Sequence, residues 1–358
     1  MKISDIISFL DKMAPPSLQE HYDNAGLITG EADWGCIGVI CSLDVTEAVV
    51  NEAIIKKCNL IVAHHPIIFG GLKKLNGKNY VEKTVIAAIK NDIAIYAVHT
   101  NMDNVIEGVS GKMAKMLGLQ NFSVLSLKEN TLKKLFCFVP VDKAEIVRNA
   151  IFEAGGGHIG NYSECSFNTE GTGTFKPEAG TRPFVGEIGT LHYEKEIKVE
   201  VIFPSFLESN IVTAMKTAHP YEEVAYEVIN LSNTNQSTGS GVIGDLPNSL
   251  NEKEFLFLVK KVFKVSVVRH TVVLNKKVKK IAICGGAGSF LIPKALNAGA
   301  DAYITADIKY HEFFDANGRL LIVDVGHYES EQFTIDLLQD ILVQKFPTFA
   351  ILKTEVNT

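Results

Sequence analysis

Three short segments carry residue types that could hold a metal ion: Ala63-His64-His65-Pro66, His99-Thr-Asn-Met-Asp103 and Gly326-His327-Tyr-Glu-Ser-Glu331. Each follows an apolar run that reads as a buried strand, and ligands in α/β sheets gather at the carboxyl ends of strands. Neighbouring side chains on a regular strand face opposite ways. His64 and His65 therefore serve one site only if the backbone turns at the strand end, a departure that Pro66 favours. His327 and Glu331 are four residues apart and share one face of a helix. The positive end of the helix dipole disfavours imidazolium and so keeps His327 neutral, as a ligand must be. Singly, each segment has an ordinary reading: one buried and one exposed histidine, an aspartate that caps a helix or turn, a surface His–Glu pair. Together, His64, His65, Asp103, His327 and Glu331 supply three nitrogens and two carboxylates, a donor set that suits Zn, Fe, Mn or Ni. The lack of thiolate argues against a structural zinc site. Five ligands are too many for one catalytic zinc with an open position. They suffice for two divalent ions if a carboxylate bridges, and such a pair can deprotonate a water held between them.

Further residues could belong to the same neighbourhood. Asp44 and His99 could orient the ligand histidines, or serve as caps and turn formers. With His311 they are the candidate proton-transfer groups, since each is of a suitable type near a strand end. His21-Tyr22-Asp23-Asn24 could line the mouth of the site or form an Asx-turn before Gly26. Asp307 and His311 follow a strand and could contact substrate or be structural. The run Cys284-Gly-Gly-Ala-Gly-Ser289 could offer backbone N–H groups to a phosphate, but it lacks the G-x-G-x-x-G spacing and the P-loop lysine, so a tight turn is expected. No G-x-S-x-G elbow, H-E-x-x-H helix or kinase signature occurs.

The elements that must position these residues follow from hydrophobic periodicity. Residues 36–42, 60–63 and 93–98 read as buried strands, with helices over 45–57 and 81–90 between them. That pattern implies parallel strands covered on both faces. The grammar returns at the C-terminal end, with strands at 278–284, 302–305 and 320–325 and helices at 290–296 and 331–342. Between these halves the order is strand 132–139, helix 143–154, strands near 173–175 and 197–202, helix 207–218 and strand 225–229, the ferredoxin-like order. Residues 232–241 read as a flexible linker. The organisation expected is an α/β domain in two sequence halves, 1–126 and 237–358, interrupted by an α+β insertion over 127–236. Gly155-Gly-Gly-His158 and His219-Pro-Tyr-Glu-Glu223 in the insertion read as turn, cap or interface segments.

Composition narrows the class. Among 358 residues, 46% are hydrophobic and 21% charged, which fits a folded chain rather than a disordered one. The net charge of −6 weighs against a dedicated nucleic-acid binder. Six scattered cysteines without a C-x-x-C pair suggest reduced core thiols. Asp5 and Asp11 interrupt what would be a signal-peptide core, and no apolar stretch approaches the ~18 residues of a membrane span. A soluble, cytoplasmic protein is expected.

Six segments, among them His21-Tyr-Asp-Asn-Ala-Gly-Leu27, Ala63-His-His-Pro-Ile-Ile-Phe69, Thr305-Ala-Asp-Ile-Lys-Tyr-His311 and Gly326-His-Tyr-Glu-Ser-Glu331, resemble in order those of the NIF-three-like proteins, also labelled GTP cyclohydrolase 1 type 2 homologues. The one mild difference is Tyr22, where Trp is frequent. The middle segment resembles the PII/CutA-like insertion of longer bacterial members. The resemblance implies a dinuclear metal centre and a toroidal homohexamer, a trimer of dimers. It places one ion on His65, Asp103 and Glu331 and the other on His64 and His327, with Glu331 bridging. Two functions compete: a metal-dependent hydrolase acting on a GTP-like nucleotide or a phosphoester, and a non-enzymatic metal-responsive scaffold or regulator that binds partners through its ring and insertion.

Overall fold

Short apolar runs build the middle of the first sheet. Its strands lie in the order Gly26–Thr29, Ala94–Ala97, Leu60–Ala63, Val39–Ser42 and Ile351–Lys353. The last four are parallel and Gly26–Thr29 is an antiparallel edge. Every residue of the three central strands is buried. Alternation sends Val39, Cys41, Leu60 and Val62 to one face, where the helix Ile3–Met13 packs Ile3, Ile6 and Leu10. Ile40, Ile61 and Ala63 go to the other, under the helices Glu47–Ile55 and Tyr80–Lys90. Thr46 and Asn79 cap those two helices by accepting from Val49 N–H and Glu82 N–H.

The computed structural model describes residues 1–358 and divides into two units, Met1–Leu127 with Gln236–Thr358, and Lys128–Asn235. The first unit also holds a second sheet, ordered Arg269–His270, Leu321–Asp324, Ala302–Ala306, Lys277–Ala287, Gly239–Asn251 and Gln120–Leu127. Its three strands from 277 to 324 run parallel and the others antiparallel. Phe255, Val259 and Phe263 of the helix Glu252–Phe263 fill the core on one face, and Leu291, Ile292 and Ala295 the core on the other.

Two sequence expectations are corrected here. The 232–241 segment is tied down at its far end: Thr238 is buried and bridges to Val105, and Gly239 pairs with Leu127. Gly239 has φ +149°, and a Cβ there would lie 2.1 Å from Ser126 O, so glycine lets the two strands close up. The last helix does not start at Glu331. A short helix, His327–Glu331, precedes Thr334–Lys345. The turn between them carries Phe333 into the core.

The second unit is a four-stranded antiparallel sheet, ordered Phe167–Phe175, His192–Pro204, Leu132–Pro140, Tyr226–Asn230. Helices Ala144–Glu153 and Glu208–Ala218 cover one face, packing Val147, Ile151, Ile211 and Met215 on Leu135, Cys137, Val199 and Val201. The strands Phe167–Phe175 and His192–Pro204 are longer than periodicity suggests, because they pair as a continuous hairpin from Phe175↔His192 to Phe167↔Glu200. No helix of either unit is long and apolar enough to cross a membrane.

Candidate metal centre

Residues that follow parallel strands of both sheets line one cleft of about 560 Å³. From the first sheet come Asp44 after Val39–Ser42, His65 after Leu60–Ala63, and His99 and Asp103 after Ala94–Ala97, while the adjoining His64 is fully buried and does not line the cleft. From the second come Gly286, near the end of Lys277–Ala287, and His327 and Glu331 after Leu321–Asp324, while Asp307 after Ala302–Ala306 stands beside His327. The expected turn at the double histidine is present, with the His64 and His65 ring centroids only 4.9 Å apart.

Each imidazole is fixed through one nitrogen. His64 is fully buried, and its Nδ1 is 2.8 Å from Val98 O. His65 Nδ1 is 2.9 Å from Asp44 Oδ1, and His327 Nδ1 is 2.6 Å from Asp307 Oδ2. His99 Nδ1 is 2.7 Å from Asp23 Oδ1, while Asp23 Oδ2 accepts from Thr100. The other nitrogens converge on carboxylates. His64 Nε2 lies 3.8 Å from both Asp103 Oδ1 and Glu331 Oε1. His65 Nε2 and His327 Nε2 lie 3.0 and 3.1 Å from Glu331 Oε2. These are ion-pair distances without hydrogen-bond geometry: His64 Nε2, Asp103 Oδ1 and Glu331 Oε2 are buried and have no hydrogen-bond partner.

The ligand atoms fall into groups that could hold a metal ion: His64 with Asp103 and Glu331, His65 with His327 and Glu331, and His64 with His65 and His99. The resemblance put His65 with Asp103 and His64 with His327; the atoms that lie nearest one another here are those of His64 and Asp103, and of His65 and His327, each beside Glu331. The reason lies in the anchors. Val98 O holds His64 beneath Asp103, on the neighbouring strand end, whereas Asp44 draws His65 toward the opposite neighbour.

Charge follows this geometry. Burial disfavours charge on Glu331, but the surrounding imidazoles override it and hold the carboxyl well below its usual range. Burial likewise opposes a proton on His65, yet Asp44 and Glu331 raise it to about 10. Glu331 is the main cause that lifts His327 to about 9, with Asp307 adding to it against burial. Burial pushes Asp103 up to about 6 despite His64. Asp23 is buried too, but His99 and Thr100 bring it down to about 2.

The glycine run does not form the simple tight turn expected; Gly285 and Gly286 lie within the strand Lys277–Ala287. Gly286 has φ +62°, and a Cβ there would lie 2.3 Å from Glu331 Oε1. Its N–H donates to Ser330 Oγ at 3.0 Å, and Ser330 in turn donates to His327 O. The backbone is thus pressed against the central carboxylate. His311 lies elsewhere: it is exposed on the 3₁₀ helix Tyr310–Ala316, with its ring against Tyr310 and Phe314. His311 does not line this cleft. Sequence reasoning missed Asp307 as the partner of His327 and Asp23 as that of His99. Their positions after or before strand ends were the available signal. It also missed the exposed rings of Phe69 and Phe290, which line the cleft with Tyr22.

The comparisons with known proteins cover the same ground. Residues 1–358 match the family described as Duf34/NIF3 (NGG1p interacting factor 3). A protein of Halalkalibacterium halodurans named GTP cyclohydrolase 1 type 2 homolog is 42% identical, over 100% of this chain and 98% of its own. A Bacillus subtilis protein of the same name is 40% identical, over 90% and 87%. The crystal structure of a Bacillus cereus protein related to NIF3 aligns with a TM-score of 0.87 at 41% identity, covering 100% of this chain and 98% of that one.

Proposed function

The chain belongs to the Duf34/NIF3 (NGG1p interacting factor 3) family, and from that premise we propose that the cluster is a dinuclear metal centre serving hydrolysis. His64 and Asp103 would hold one divalent ion and His65 and His327 the other, with Glu331 shared. The metal would be Zn, Fe, Mn or Ni, which suit an imidazole–carboxylate set without thiolate. The supporting observation is the set of buried ligand atoms without hydrogen-bond partners. Each such atom costs about 1–3 kcal/mol, a cost that a coordinated cation removes.

Bound ions of this kind lower the pKa of water and polarise a carbonyl or phosphoryl group. The chain's own residues do the rest. Asp44 and Asp307 fix which nitrogen of His65 and His327 faces inward. His99, its Nδ1 held by Asp23, turns Nε2 toward His64 and His65 and is the group best placed to take a proton. The substrate proposed is a GTP-like nucleotide or a phosphoester. The names of the curated relatives support the former, and Tyr22, Phe69 and Phe290 offer ring faces for a planar base. A purely scaffolding metal site would favour a closed centre, whereas this one opens on a cleft. We extend the proposal to a toroidal homohexamer, a trimer of dimers, and to a ferredoxin-like, PII/CutA-like reading of the insertion, whose strand and helix order supports it.

The test is metal analysis of the purified protein, followed by assay of the loaded form against GTP and a phosphoester panel. Two ions per chain and turnover lost in Glu331→Gln are expected; turnover unchanged in that variant would overturn the mechanism. Light scattering behind size exclusion tests the hexamer.

A further inference from the structure

The insertion contains a cavity of about 610 Å³ that the proposed hydrolase does not use. It lies on the sheet face away from the helices. Alternation along the strands puts Phe138, Glu196 and Lys198 on that face, opposite Val139, Ile197 and Val199, which pack into the core under the helices. The strand Phe167–Phe175 crosses it with Gly171 and Gly173, and the segments around Phe184 and Tyr221 complete the lining. Gly173 has a purpose there: a Cβ would lie 2.1 Å from Glu196 Oε2, so the glycine makes room for the carboxylate.

We propose that this cavity binds an organic ammonium ion. Two phenyl rings adjoin that of Tyr221 within it. The Phe175 and Phe184 centroids lie 5.8 and 6.2 Å from that of Tyr221, inclined at 59° and 49°. Rings gathered in this way supply the negative quadrupoles that attract an alkylated ammonium. Beside them sits Glu196, 7% exposed, accepting from Tyr221 OH at 2.9 Å and so held ready as a counter-charge. Glu170, Glu222 and Glu223 add to the same sign. The only cation in the lining, Lys198, is turned to Glu200 at 2.8 Å and lies over the Phe136 ring. An anion would meet four carboxylates; a neutral apolar ligand would leave Glu196 without a countercharge. The volume is within the ordinary range for small-molecule sites.

The test uses the full-length chain and choline as the probe, titrated calorimetrically at low salt, with 3,3-dimethylbutan-1-ol as its uncharged isostere. Saturable choline binding is expected, with the alcohol roughly tenfold weaker. Phe184→Leu, which keeps an apolar side chain but removes the ring, is expected to weaken choline by about 2- to 30-fold. Glu196→Gln keeps the size and an acceptor for Tyr221, and is expected to weaken choline but not the alcohol. Should Phe184→Leu fail to fold, the Glu196→Gln result decides. Chelating the metal is expected to leave choline binding unchanged, so this site and the metal centre fail or succeed separately. No saturable choline binding through the millimolar range, equal binding of the alcohol, or folded variants that bind choline as well as the parent would each overturn the proposal.

Discussion

The two sheets of the first unit each deliver an imidazole in the same way, and then part company. In the first, Asp44 after one strand holds His65 after the next; in the second, Asp307 holds His327 after the next. Both rings present Nε2 to the same Glu331 oxygen at nearly equal distance, 3.0 and 3.1 Å. The first sheet adds His64, anchored on a main-chain carbonyl rather than a carboxylate. The second adds Glu331 itself, pressed against Gly286. A carboxylate anchor raises the basicity of its imidazole, whereas a carbonyl fixes orientation with no added charge. The first sheet thus supplies two imidazoles and the Asp103 carboxylate, and the second supplies the carboxylate that joins both sides.

The sharpest way to break this comparison is at the shared residue. Glu331→Gln is expected to cost metal on both sides, so that metal content by mass spectrometry falls by more than half. Retention of the full content would show that the two sheets hold metal independently. Gly286→Ala acts on the same carboxylate from behind. A Cβ at 2.3 Å from Glu331 Oε1, on a backbone with φ +62°, must displace one or the other. A loss of about 1–3 kcal/mol in denaturant unfolding is expected, together with weakened metal binding.

Asp44→Asn and Asp307→Asn test the parallel itself. Each is expected to weaken metal binding by roughly 10- to 100-fold. The larger effect is expected at Asp44, because the His65 side chain is 14% exposed and that of His327 41%. Competition with a chelator reads both, and an effect confined to one sheet would remove the equivalence.

The smallest effect is with pH. His65 and His327 are raised to about 10 and 9 in the metal-free protein, above the 6.5 of a free imidazole. A raised basic group contributes stability that is complete below its unfolded pKa and fades as pH climbs through the folded one. The metal-free melting temperature is therefore expected to decline from pH 7 to 10. Metal binding needs these rings deprotonated, so the metal-loaded protein should show a smaller decline. At pH 7 loading should also release protons, visible as a buffer-dependent binding enthalpy.

Much of this was legible in the residue order. Four-residue apolar runs flanked by helical spacing mark buried parallel strands, and the ligand candidates are the polar residues that end those runs. His64, His65, Asp103, His327 and Glu331 do come together. What periodicity does not carry is direction past the strand end. Whether His64 or His65 faces Asp103 depends on which anchor each ring finds, and Val98 O is a backbone atom with no signature in the sequence. Asp307 takes φ +56°, a conformation no pattern announces, and from there it reaches His327. The glycine run looked like a phosphate loop or a turn because glycine types reveal that space is needed but not what fills it. His311 has the right chemistry near a strand end, and only the 3₁₀ helix shows it to be turned outward.

The pairing of Leu127 with Gly239 has an implication for how this architecture can vary. The two points where the α/β chain departs and resumes face each other across one rung of the ladder, so a tight reverse turn of a few residues could close it. A host built this way can acquire or shed its middle segment as a cassette, with no strand re-registered and no metal-binding residue relocated.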